Sequence, residues 1–258
     1  MLPVLFKFDG IALHTYGILL ASGFLMAVLL AVREARRVGI DPNRIMDLSF
    51  YVLVAAIVGS LVFYVITNWG EFRDDPVSVV FFWRGGLVFY GGLIFAFAAG
   101  LWYVRNNRLP FRRLADLTAP SIALGQALGR LGCFAAGCCF GAPASVPWAV
   151  TFRDPESLAP QGVPLHPAQL YESAAAFAIF FILRRMRLNP KYEGKIFWFY
   201  LFFYSTSRYI IEFYRNDPRG WVIPDFLSSA QAVGWVTIPL ALYMLLRRPA
   251  APAKTGKN

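Results

Sequence analysis

The chain has 258 residues, 57% of them hydrophobic and only 16% charged, with a mean hydropathy of +0.51. A soluble domain of this length carries about a quarter charged residues, so these values argue against a soluble enzyme and predict an all-α polytopic membrane protein. The net charge of +10 would point a soluble chain toward nucleic acid. Here the basic residues gather between apolar runs, so a membrane accounts for them and no nucleic-acid partner is expected.

Seven apolar runs are long enough to cross a bilayer, which takes about 20 residues. Residues 1–10 lack the basic start of a removable signal peptide, so the first run, near 12–32, is expected to stay as a span. It opens with "LHTYG", which holds His14 and Tyr16. The second lies near 46–68. The third, near 81–104, contains "FYGGLIF", in which the Gly91-Gly92 pair either breaks helical regularity beside Tyr90 or admits a neighbouring helix. The fourth, near 114–133, carries Asp116 and Gln126 and reaches Arg130 through the small-residue run "ALGQALG". The fifth, near 168–184, follows "LHPAQLYE", which holds the second histidine, His166. The sixth, near 195–214, contains "FYSTSRYIIEFYRND"; the seventh lies near 227–246. Residues 1–248 are read as one membrane domain and 249–258 as a disordered basic tail.

Seventeen of the 25 lysines and arginines lie just after the first, third, fifth and seventh runs. By the positive-inside rule the amino terminus is outside and the carboxy terminus cytoplasmic. The loop near 134–167 and the segment 214–226 then face outward. The loop contains "WAVTF", residues 148–152, an alternating run suited to a short strand. It reads as a small outward-facing cap.

A charge inside a span costs about 2.5–3.5 kcal/mol on insertion scales and marks a functional candidate. Tyr204, Arg208, Glu212 and Arg215 are spaced to share one helix face. Glu212 can pair with either arginine, which leaves one positive charge in excess. The plainer reading, an ion pair plus an interfacial snorkelling arginine, stays open for Arg215 at the span's end. Arg130 stands among Gly129, Gly132, Gly137 and Gly141. A guanidinium beside exposed backbone suits a phosphate or carboxylate.

All three cysteines, Cys133, Cys138 and Cys139, lie in "GRLGCFAAGCCFG". Their spacing lacks the second ligand pair of a zinc site, and no histidine or carboxylate stands at ligand spacing, so no metal is expected. A disulfide from Cys133 to Cys138 or Cys139 and a plain packing role both remain open. No activating base is near in sequence, which speaks against a catalytic cysteine.

With "HTYG", "YGGLI", "ADLTAPSIALGQALGRLGCFAAGCCFG", "HPAQLYE" and "SRYIIEFYR" in this order, nearly the whole chain resembles the prolipoprotein diacylglyceryl transferase family of bacterial inner membranes. The resemblance implies transfer of an sn-1,2-diacylglyceryl group from phosphatidylglycerol to the lipobox cysteine of a preprolipoprotein, beside its signal peptide. A thioether forms and glycerol phosphate leaves, with no cofactor. It also implies that Arg130 and Arg208 match the family's two essential arginines. Tyr16, Gly141, Tyr204, Glu212 and Arg215 fall on its motif positions. Two departures stand out. Tyr90 occupies the position where the family often has a histidine proposed as base, and Cys133 and Cys138 replace frequent Asn and Glu.

The expected catalytic set is Arg130, Arg208 and Tyr90. Substrate contacts are expected from Tyr16, Gly91, Gly92, Gly141, Tyr204, Glu212, Arg215, His14 and His166. The proton acceptor is Tyr90, one of the two histidines, or the phosphate itself. Two other readings remain: an inactive relative that binds lipid or signal peptide, and a small-solute transporter.

Overall fold

The computed structural model describes residues 3–8, 11–74, 88–215, 221–223 and 227–247. The expected disordered tail at 249–258 lies outside the described residues, as do 81–87 of the third run and most of the outer segment at 214–226. Two short strands come first, β1 (Val4–Phe8) and β2 (Ile11–His14), paired antiparallel. Then follow α1 (Thr15–Arg37), α2 (Pro42–Thr67), the short α3 (Trp69–Asp74), α4 (Phe89–Asn106) and α5 (Phe111–Ala136). Strands β3 (Val150–Thr151) and β4 (Pro164–Leu165) pair within the loop that follows α5. The chain closes with α6 (Ala168–Met186), α7 (Ile196–Glu212), the strand pair β5 (Trp221–Ile223) and β6 (Leu227–Ser228), and α8 (Ser229–Leu246).

Each of the seven predicted apolar runs contains one long helix. Two expectations need correction. The first run does not start as a helix at residue 12: its leading residues pair with Val4–Phe8 as a hairpin, and the helix begins at Thr15. The run "WAVTF" supplies only two strand residues, Val150 and Thr151. Helices α1 and α2 are, among the described residues, the ones long and apolar enough by themselves to cross a membrane. Large apolar side chains stand exposed along them and along α8, including Leu25, Leu29, Phe50, Ile66, Trp235 and Val236. Such a surface would be unfavourable in water and is what lipid contact requires.

The chain divides into two compact units, one built from residues 28–114 and the other from 1–27 and 115–258. In the first unit α2 packs on α4. A Cβ on Gly91 would strike the Gly59 carbonyl and the Phe63 side chain, and one on Gly92 would strike the Ser60 hydroxyl. The Gly-Gly pair therefore does not break a helix in mid-span. It lies in the first turn of an intact α4 and lets two helix backbones meet, the close-packing use of small residues. Toward the other end of these helices, the Tyr103 hydroxyl donates to Asp47 at 3.3 Å and Arg44 donates to Asn107 at 3.1 Å.

The second unit holds its helices with buried polar links. Asp116 of α5 accepts from the backbone N–H groups of Gly194 (2.5 Å) and Phe197 (2.9 Å). It thereby caps the start of α7 and faces that helix's positive end. The Tyr200 hydroxyl donates to Gln126 at 3.0 Å, and Ser173 of α6 donates to the Ala127 carbonyl at 2.9 Å. Thr237 of α8 donates to Ser205 of α7 at 2.8 Å. Asp116 and Gln126, conspicuous in an apolar run, are thus structural partners of α7. The loop between α5 and α6 closes over a small core of Phe152, Ala159 and Leu165, against which Phe134 and Phe140 pack.

Candidate active site

Three elements of the second unit converge on one charged cluster. Arg130 comes from the last turns of α5, Glu172 from the start of α6, and Arg208 and Glu212 from the end of α7. Arg215 stands three residues beyond α7. Its backbone pairs with Gly141 across an isolated bridge. The helix-face reading of "YSTSRYIIEFYR" therefore holds through Glu212 but not to Arg215, because α7 ends at Glu212 and the chain turns through Phe213 and Tyr214.

The pairing is dense. Arg208 donates to Glu212, and Arg215 Nη1 donates to Glu172 Oε1 at 2.5 Å. Arg215 Nε also lies 3.9 Å from Glu212, and Arg208 Nε lies 4.0 Å from Glu172. Arg130 Nε is 2.5 Å from Glu172 Oε2, an oxygen with no aligned hydrogen-bond donor, so that contact is Coulombic. Three guanidinium groups thus share two carboxylates and one positive charge is left over.

Exposure divides the arginines. The Arg215 side chain is 2% exposed, against 13% for Arg208 and 21% for Arg130. Arg215 is therefore no snorkelling residue; it is buried and held by Glu172. Arg208 and Arg130 are the more exposed of the three guanidinium groups. Tyr16 and Tyr204 both lie within electrostatic range of Arg130, and Tyr204 stacks on Tyr200 with ring centres 5.8 Å apart.

Glu172 is the residue that sequence reasoning missed. It sits within the motif "HPAQLYE", but its partners lie on α5 and α7, and nothing local in the sequence pairs it with an arginine. Its position at the start of an apolar helix was the available signal.

Gly141, bridged to Arg215, packs against His166 beside this cluster. The Gly141 N–H donates to the His166 carbonyl and the Ala142 N–H to the Tyr214 carbonyl, each at 2.9 Å. A Cβ at Gly141 would lie 2.5 Å from the Tyr214 carbonyl oxygen and 2.6 Å from His166 Cβ, so the closeness of three strands of chain requires glycine. His166 Nδ1 is 3.1 Å from the Tyr171 hydroxyl, which accepts from Trp148 Nε1 at 2.7 Å. Tyr214 packs edge-on against both His166 and Tyr171.

The structure thus brings Arg130, Arg208, Glu212, Arg215, Gly141 and His166 into one connected region, with Tyr16 and Tyr204 close to Arg130. His14 ends β2, exposed, opposite Val4. Tyr90, Gly91 and Gly92 belong to the other unit; there the two glycines are buried in helix packing and Tyr90 is exposed. The three cysteines carry no disulfide. Hydrogen bonding with Cys133 and Cys139, and burial after that, push the Cys138 thiol above its ordinary range, which is the wrong direction for a nucleophile.

Residues 3–247 match the family model described as prolipoprotein diacylglyceryl transferase. Among curated relatives, the phosphatidylglycerol–prolipoprotein diacylglyceryl transferase of Clostridium tetani is 32% identical, over 95% of this chain and 96% of its own. Those of Bacillus licheniformis (34%; 95% and 92% covered) and Trichormus variabilis (35%; 93% and 87% covered) are similar to the same degree. The chain belongs to the prolipoprotein diacylglyceryl transferase family.

Proposed function

We propose that this chain, as a member of that family, is a membrane transferase that moves the sn-1,2-diacylglyceryl group of phosphatidylglycerol onto the lipobox cysteine thiol of a preprolipoprotein. The bacterial inner membrane is its site, with seven spans, the amino terminus outside and the carboxy terminus in the cytoplasm. The observation that carries the reading is the arginine cluster: two more exposed guanidinium groups, backed by buried Glu172 and Arg215, with one net positive charge.

The chemistry follows from that charge. The acceptor thiol has a reference pKa of about 8.5, so little of it is thiolate at neutral pH. Its sulfur attacks the glycerol carbon that carries the phosphate. A carbon–sulfur bond forms, the carbon–oxygen bond breaks, and glycerol phosphate leaves with the bonding pair. The phosphodiester enters with one negative charge and departs as a monoester with a second charge developing. Arg130 and Arg208 bind the phosphate, and they bind it more strongly as that charge grows, which is what lowers the barrier. Glu212 orients Arg208, and Glu172 orients Arg130. Gly141 lets the outer loop approach the cluster. Tyr16 and Tyr204 lie against the substrate beside Arg130.

The thiol proton goes to Tyr90, to a histidine or to the leaving phosphate. Tyr90→Phe separates these routes: activity near that of the unaltered protein removes Tyr90 as base. Of the histidines, His166 is the better placed, through its contacts with Gly141, Tyr171 and Tyr214. The function itself is tested by incubating the purified protein with phosphatidylglycerol and a lipobox peptide. The expected result is a peptide mass increased by one diacylglyceryl thioether. Lipid binding without product would overturn transfer in favour of a binding relative.

A further inference from the structure

The three cysteines take no part in the reaction above, yet the fold gathers them. Helix α5 ends in a Schellman turn: Gly137, at φ 75°, donates to the Phe134 carbonyl, and Cys138 donates to the Cys133 carbonyl at 3.1 Å. In that turn the side chains three residues before the cap and two after it come together. Here those two are Cys133 and Cys138. The next residue, Cys139, has φ 62°, a left-handed conformation that is costly for a residue with a Cβ. At that backbone its sulfur lies 3.7 Å from that of Cys138, and all three sulfur atoms lie within 4.8 Å of one another. The turn is fixed from outside as well, since fully buried Gln169 of α6 donates to the Cys138 carbonyl at 2.7 Å.

We propose that Cys133, Cys138 and Cys139 form a three-thiolate site for a soft metal ion of the zinc(II) or copper(I) class. With metal–sulfur bonds of about 2.3 Å, sulfurs of one coordination sphere stand about 3.8–4.0 Å apart. The gathered thiols need to close by about an ångström at most to reach that. Thiolate-only ligation selects soft cations over calcium, magnesium or manganese. A disulfide would use two sulfurs and leave the third unexplained; a metal uses all three. Three thiols release three protons on binding, which leaves a net −1 with zinc(II) or −2 with copper(I), and Arg130 lies one helical turn before Cys133, close enough to act on it electrostatically. Along the chain the cysteines lack a second ligand pair; the helix cap brings all three together instead.

The full chain, purified with reductant in detergent micelles, is titrated with cobalt(II) as the spectroscopic probe. One equivalent is expected to give an intense near-ultraviolet sulfur-to-cobalt band. Zinc(II) or copper(I) should displace it, and bound metal should shield the thiols from alkylation counted by mass. Cys139→Gly removes one ligand while suiting the left-handed backbone. It should weaken binding at least tenfold with the unfolding midpoint retained. A missing or non-saturating band, a band that neither ion displaces, three thiols alkylated equally with and without metal, or full affinity in Cys139→Gly would each overturn the site. The alkylation count needs no variant, and none of these readings depends on the transferase reaction.

Discussion

Glu172→Gln is the most informative single change, because one buried carboxylate serves three arginines. It lies 2.5 Å from Arg130, 2.5 Å from Arg215 and 4.0 Å from Arg208, and its side chain is 5% exposed. Glutamine keeps the shape and an acceptor oxygen for Arg215 but raises the cluster from one excess positive charge to two. Removing one partner of a buried ion pair costs about 3–5 kcal/mol, and the retained acceptor places this case near 3 kcal/mol. Equilibrium unfolding in mixed micelles reads that loss, and the thioether assay should show activity falling with it. Adding Arg215→Gln removes the stranded charge. The double variant should then be more stable than the sum of the two single effects by about 1–3 kcal/mol. Additivity to within about 0.5 kcal/mol, or a Glu172→Gln protein as stable as the unaltered one, would refute the pairing and with it the shared-carboxylate account of the site.

Other changes test other parts. Arg208→Lys keeps charge but loses the forked donor, and kcat/KM should fall roughly a hundredfold, the scale seen when one transition-state donor is lost. Gly141→Ala places a Cβ against the Tyr214 carbonyl and His166; unfolding measurements should show a loss of about 1–3 kcal/mol, the usual cost of overpacking. Asp116→Ala uncaps α7, and the same measurement should show a loss of about 0.5–2 kcal/mol with substrate KM unchanged, since Asp116 touches the helix start and not the arginines.

Long-range charge pairing and local helix ends account for most of what the sequence did and did not disclose. The seven helices were legible because lipid demands long apolar runs and because arginines punctuate them. The amino-terminal hairpin was not, since Ile11–Leu13 is apolar in either role and only the partner Val4–Phe8 makes it a strand. Arg130, Arg208 and Glu212 stood out as charges in apolar surroundings. Glu172 did not: its motif reads as the polar entry to a helix, and its partners are supplied by two other helices. For Arg215 the interfacial reading stayed open because the sequence does not mark that α7 stops at Glu212. The Gly91-Gly92 pair offered two uses, a break in the helix or close helix packing, and the packing of α2 on α4 takes up the second.

The charge count of the cluster bears on how a phosphate would bind there. With only Arg208, Glu212 and Arg215 in view, one excess positive charge already follows. Adding Arg130 and Glu172 leaves that excess unchanged, so the second pair does not serve to attract the lipid more strongly. It changes which guanidinium groups are available. Glu172 holds Arg215 in the interior and holds Arg130 at 2.5 Å at the more open side. A phosphodiester carries one negative charge and matches the excess. When the monoester's second charge develops, further stabilisation has to come from guanidinium groups already engaged by Glu172 and Glu212. Arg208, hydrogen-bonded to Glu212, is fixed in orientation before the reaction and needs no reorganisation during it. A buried carboxylate that weakens ground-state attraction while positioning the donors favours the later, more charged state over the bound lipid. That is why Glu172→Gln is expected to cost activity even though it makes the cluster more positive.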